Sequence, residues 1–208
     1  MKKYSILLIL LICAINLFSQ QNYKEQIKHH RKLIVQEHLA DPRSPLEKKD
    51  IRRLHYFGAA PAFNVQAQFT VFSEKDSIMI PTSSGKLKPF VRHGEFRFKI
   101  HDEYYTLTAY KSAKSIEPDA SFFVPFFDKT NGKKTYGGGR FLDLSSDSLK
   151  GNIMWIDFNH AYNPWCAYSS GFNCPIPPAE NNLAVAILAG EKSYTGKHKN
   201  GSKSKTAK

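Results

Sequence analysis

Phe63, Val65, Ala67, Phe69 and Val71 alternate with Asn64, Gln66, Gln68 and Thr70. A period of two puts the apolar set on one face of a strand and the polar set on the other. A helix cannot gather those residues on one side, so this stretch commits the chain to a sheet with a buried face. The pattern returns at Phe96, Phe98 and Ile100 and again over 105–109. His101-Asp102-Glu103 lies between those two runs and makes them a hairpin. Residues 77–80 form a shorter candidate, followed by a turn at Ser83-Ser84-Gly85-Lys86. Residues 122–127 form an aromatic strand, and Pro125 assigns it an edge position or a bulge. Asn131-Gly132 is a hairpin turn signal, and Phe141-Leu142-Asp143-Leu144 follows it. Residues 153–158 and 183–189 are nearly continuous apolar runs and read as central strands. Ala and Leu also allow a helix over 181–189.

Two helical segments precede the strands. Tyr23, Ile27, His30 and Ile34 share one helix face over residues 22–40. Pro42 disfavours a helical Asp41 and ends the segment near Ala40. Ser44, Pro45 and Glu47 have the spacing of a capped start to a second short helix, with Ile51 and Leu54 facing inward. Helices first and many short strands after predict an α+β, mainly β fold. The helices are expected to pack on an antiparallel sheet or partial barrel. The expected division is a signal peptide over 1–20, a helical segment over 21–60, a β-rich core over 61–192 and a basic disordered tail over 193–208.

Lys2 and Lys3 precede an apolar run over 5–17, and polar residues begin at Ser19. This is the layout of a secretory signal, with cleavage expected between Ser19 and Gln21. The run is short for a transmembrane helix. Ile12 before Cys13 is not the small residue that usually precedes a lipidated cysteine, so a lipid anchor at Cys13 is the lesser alternative. The mature chain is expected in the periplasm or outside the cell. The formal charge of +12 owes much to the leader lysines and to Lys197, Lys199, Lys203, Lys205 and Lys208, which no acid accompanies. Such a tail is a solvated end able to touch anionic surfaces. It does not make the chain a nucleic-acid binder.

Residues 155–191 concentrate the remaining chemistry. They hold both tryptophans, Cys166, Cys174 and several prolines set among Asp, Asn, His and Glu. Five segments form an ordered set of motifs. Phe123-Val124-Pro125-Phe126 is followed by Asp128. Residues 136–143 read Tyr-Gly-Gly-Gly-Arg-Phe-Leu-Asp, and residues 157–164 read Asp-Phe-Asn-His-Ala-Tyr-Asn-Pro. Cys166-Ala167-Tyr168 comes next, and then Cys174-Pro175-Ile176-Pro177-Pro178 with Glu180-Asn181. Over residues 30–192 this set resembles the DUF1684 family, a bacterial domain of unknown function. The resemblance implies one domain and supplies no reaction.

Cys166 and Cys174 in an exported chain favour a disulfide. Free buried thiols are the next reading. A metal site of Asp157, His160, Cys166 and Cys174 matches no common zinc spacing, so no metal and no cofactor are expected. Gly138, Gly139 and Arg140 permit close backbone approach beside a guanidinium, as a carboxylate or phosphate would need. Equally, they suit a tight bend with Arg140 paired to Asp157 or Glu180. Asp157, Asn159, His160, Tyr162, Glu180 and Asn181 complete the ligand-binding candidates. The expected function is binding of a small polar or anionic ligand between the Gly-rich turn and the Cys/Pro-rich loop. A hydrolase using Asp157 or Glu180 with His160 and Arg140 is the alternative. A structural or accessory envelope protein without a ligand is the third reading.

Overall fold

A computed structural model describes residues 2–113 and 121–201 of the chain. Helix α1 spans Lys2–Ala40 and runs through both the apolar leader and the segment expected over 22–40. The strands are β1 (Asn64–Val71), β2 (Ser77–Pro81), β3 (Leu87–Ile100), β4 (Glu103–Ser112), β5 (Ser121–Phe126), β6 (Arg140–Ser145) and β7 (Ile153–Asp157). They form one antiparallel sheet in the order β6-β5-β4-β3-β1-β7, with β2 on the first half of β3. The α+β, mainly β expectation holds at this level. Among the described residues no helix is long and apolar enough to cross a membrane.

The alternation read at 63–71 is realised in β1 as far as Phe69, and Val71, expected on the buried face, is exposed. Val65, Ala67 and Phe69 are buried beneath the sheet while Gln66 and Gln68 face out. They meet Phe96, Phe98 and Ile100 of β3, Leu107 of β4, Phe122 and Val124 of β5, and Met154 and Ile156 of β7 in one core. His101 and Asp102 both take positive φ at the β3–β4 turn, the backbone a two-residue hairpin requires. A register shift between Arg92 and Gly94 divides β3 into the half that pairs with β2 and the half that pairs with β1.

Four expectations are corrected. The second helix is only a 3-10 turn over Ile51–Arg53. Its start is held differently: Ser44 Oγ accepts from Leu46 N, and the Asp50 carboxylate accepts from Glu47 N. The apolar run at 153–158 lies on the sheet edge as β7, and Trp155 there is 60 % exposed. The run at 183–189 is neither strand nor helix, although Leu183, Ile187 and Ala189 are buried. Pro125 sits in an interior strand, opposite Phe141 of β6. The tail also departs from the expected disorder at its start. Ser193 N donates to Lys134 O and Lys199 N to Tyr168 O, and the Lys199 ammonium lies 2.6 Å from Asp50. Residues 202–208 lie outside the described residues.

Candidate functional site

Arg140 opens β6 and is fully buried, with 0 % of its surface exposed. Its guanidinium donates to Asp128 at 2.8 Å and to the carbonyls of Ile187, Ala189 and Glu191. The expected pairing with Asp157 or Glu180 is therefore wrong; the partner is Asp128. Burial would strand the charge without these acceptors, although the Nε–H itself is buried without a partner. Those acceptors are the backbone oxygens of the run at 187–191, which explains why that run is not a strand. Gly139 has φ +87°, and a Cβ there would stand 2.5 Å from Pro177 and 3.0 Å from Phe126 O. The Gly-rich turn and the long loop do meet, as expected, but Gly139 makes room for Pro177.

Asn181 is also fully buried. Its carboxamide accepts from Thr108 N and donates to Thr108 O and Pro125 O. The side chain thus serves backbone groups of β4 and β5 at the point where Pro125 offers no N–H. Its neighbour Glu180 accepts from Arg92 of β3 and from Tyr110 Oη at 2.6 Å.

Asp157 and Asn159 lie where β7 ends. The Asp157 carboxylate accepts from Asn159 N and from Tyr23 Oη of α1, the latter at 2.8 Å. Asn159 is almost fully buried, donating to Tyr23 Oη and Ala60 O and accepting from Ala60 N. His160 stacks on His30 of α1 at 3.8 Å between ring centroids. Burial lowers the pKa of His160, and burial plus the neighbouring His160 pulls His30 down to about 4. The group latches α1 to the body. Tyr23, His30, Leu33, Asn64, Asp157 and His160 line a small cavity of about 340 Å³ there.

The hydrolase arrangement is accordingly not gathered. Arg140 is inside the core on Asp128, Glu180 is engaged by Arg92 and Tyr110, and Asp157 with His160 belongs to the α1 contact. Cys166 and Cys174 are joined as a disulfide with Cα atoms 6.3 Å apart, which removes the alternative metal set. Among the described residues no group of three or more His, Cys, Asp and Glu could hold a metal ion.

A larger concavity lies elsewhere. A cleft of about 640 Å³ lies between the sheet and the disulfide loop. Its sheet side is a run of rings across neighbouring strands. Phe90 of β3 stacks on Phe123 of β5 at 5.4 Å, Phe123 meets Phe141 of β6 edge-on at 4.9 Å, and Phe141 meets Tyr162 at 5.9 Å. Tyr110 of β4 joins at its edge. The opposite side is Trp165 packed on Phe172 at 5.2 Å, with Pro164, Cys174 and Pro175. Tyr162 is the expected site residue that does line this cleft; its hydroxyl donates to Asp143 at 2.6 Å. Burial first, and the carboxylate partner second, push the Tyr110 and Tyr162 phenols up, so both keep their protons. In sequence, residues 122–127 read as core, and Trp165 and Phe172 suit either loop packing or the stacking wall of a concave site. The aromatic richness of the long loop was the available signal.

The loop is anchored on both sides. Ser83 N donates to Cys174 O and Ile176 N to Pro81 O, tying it to the end of β2. The Glu191 carboxylate, fully buried, accepts from Asn163 N and Tyr168 Oη and fixes the other end.

Residues 49–192 match the family described as "Protein of unknown function (DUF1684)". The chain is also similar to the solution NMR structure of the uncharacterized protein from gene locus rrnAC0354 of Haloarcula marismortui. That similarity has 31% sequence identity and a TM-score of 0.64, and covers 84% of this chain and 96% of that one. No curated protein matches the chain.

Proposed function

Because the chain belongs to the DUF1684 family, whose function is unknown, we propose a function from the cleft itself: the protein binds a small, largely apolar molecule between the sheet and the disulfide loop. The observation that carries this reading is the ring-lined cleft of about 640 Å³. Its volume falls within the roughly 300–1,000 Å³ of small-molecule sites, which are concave and mostly apolar with a few polar groups. Rings contributed by separate strands and by a cross-linked loop form a preformed site, so little ordering cost falls on binding. The ligand-binding reading thus moves from the Gly-rich turn to this cleft, and from a polar ligand to one with a large apolar body. We further propose that the protein works outside the cytoplasm. The lysine-led apolar run and the Cys166–Cys174 disulfide both suit an exported chain.

The neutral dye N-phenylnaphthylamine, fluorescent in apolar surroundings, tests the cleft. It should bind the wild type and bind the Trp165→Ala/Phe172→Ala variant at least about tenfold more weakly, a loss of about 1.4 kcal/mol. His30→Gln, remote from the cleft, should bind as the wild type does. Dye binding that the double variant leaves unchanged, or no binding at all, would return the protein to the third reading, a structural role without a ligand.

A further inference from the structure

We propose that the open outer face of the sheet is a binding site, separate from the cleft, for an extended neutral glycan lying across β7, β1, β3 and β4. Of the described Phe, Tyr and Trp residues, Trp155 and Tyr104 alone are mostly exposed, at 60 % and 61 %. The strand pairing puts both in one row. Trp155 of β7 is opposite Gln66 of β1, and Lys99 of β3 is opposite Tyr104 of β4. The register that pairs Ala67 with Phe98 and Gln68 with Arg97 places Gln66 beside Lys99 when continued by one residue. The row is therefore Trp155, Gln66, Lys99, Tyr104, and the next is Ile153, Gln68, Arg97, Thr106. Three strand spacings of about 4.8 Å set the positions of the two rings about 14 Å apart.

The chemistry of the row identifies the occupant. A pyranose offers C–H faces that stack on aromatic rings, and hydroxyls at its rim that need donors and acceptors. Among the described residues, the Trp155 indole N–H and the carboxamides of Gln66 and Gln68 have no hydrogen-bond partner. They lie open between and beside the rings. The Arg97 guanidinium stacks on Tyr104, 4.1 Å from the ring centroid, and holds that ring from one side. Charge argues against a polyanion. Arg97 and Lys99 share the face with Glu95 and Asp157, and Lys99 is paired to Asp102 at 2.9 Å. No excess of positive charge remains for nucleic acid or an acidic polysaccharide. A protein interface is built round an apolar centre, whereas amide and charged side chains fill the space between these rings. A chain long enough to reach both rings gains the second contact without a second cost of association.

Calorimetric titration of the full chain with cellohexaose, chitohexaose, cellobiose and maltohexaose tests the site. Cellohexaose or chitohexaose, extended and β-linked, should bind, and cellobiose, too short to reach both rings, should bind at least about tenfold more weakly. Coiled maltohexaose should bind no better than cellobiose. Trp155→Ala and Tyr104→Ala should each weaken hexasaccharide binding about tenfold. Their urea midpoints should match the wild type, since both side chains are exposed. Trp165→Ala/Phe172→Ala should leave glycan binding unchanged, which separates this site from the cleft. Failure of both β-linked hexasaccharides to bind, or binding that survives Trp155→Ala/Tyr104→Ala, would overturn the assignment. So would a dimer in sedimentation that Trp155→Ala dissociates, which would give the face to a second copy of the chain.

Discussion

At the scale of single residues, two buried polar side chains do the work that a sheet ladder does elsewhere. Asn181 bonds Thr108 N, Thr108 O and Pro125 O. Removing its carboxamide strands these groups in a dry interior at about 1–3 kcal/mol each. Asn181→Leu should therefore lower the unfolding free energy by about 3 kcal/mol or more, read as the shift in urea midpoint at constant slope. Arg140 holds Asp128 and three carbonyls of the segment at 187–191. Arg140→Met should cost about 3–5 kcal/mol, since it leaves Asp128 buried without its cation. If Arg140→Met were instead neutral in thermal melts, the guanidinium would not be the clasp described above.

At the scale of elements, the junction of α1 with β7 and the anchor of the loop titrate in opposite senses. The Glu191 carboxyl is pushed up from 4.5 to about 7, chiefly by burial. Between those values the folded chain keeps a proton that the unfolded chain has released. Stability from this group is therefore complete below about pH 4.5 and declines as pH rises to 7, by about 3 kcal/mol in all. His30 moves the other way, from 6.5 down to about 4, through burial and then His160, with Arg31 adding to the fall and Asp157 opposing it. Between 4 and 6.5 the unfolded chain takes up a proton that the folded chain refuses, so stability rises with pH there. Burial moves His160 in the same direction. The two slopes oppose each other in the wild type. Glu191→Gln should expose a rise in stability with pH through the histidine window. Replacing both His30 and His160 by Gln should expose a fall through the glutamate window. Urea midpoints measured across the acid range distinguish these outcomes.

At the scale of the whole molecule, the cleft depends on a loop that is closed on itself and pinned to its neighbours. The Cys166–Cys174 bond joins the part bearing Trp165 to the part bearing Phe172 and Pro175. Cys166→Ser/Cys174→Ser should cost about 2–3 kcal/mol, by the loop entropy it returns to the unfolded chain. It should also weaken dye binding, because the wall it holds is half of the cleft. The fold should survive, since bonds to Ser83, Pro81 and Glu191 remain. The tail adds another brace. Lys199 reaches Pro45 O and Asp50, each at 2.6 Å, and its backbone N–H donates to Tyr168 O. Lys199→Ala should lower stability by about 1–2 kcal/mol in thermal melts.

The sequence by itself determined most strands, because a period of two is a local property that any sheet with one buried face imposes. It determined the β3–β4 turn and the end of α1 at Ala40, since hairpin geometry and the block before Pro42 act within a few residues. It also singled out the pair Cys166 and Cys174. What it could not carry was the identity of partners. The apolar run at 183–189 reads as a strand until Arg140 claims its carbonyls. Pro125 reads as an edge residue until Asn181 supplies the neighbouring bonds. Phe123 reads as core and Phe141 only as a strand residue, and pairing of β3 with β4, β4 with β5 and β5 with β6 aligns them with Phe90 along an open cleft. Periodicity records which face of an element leaves water; what that face meets is decided by residues far along the chain, through burial that acts only once the sheet is assembled.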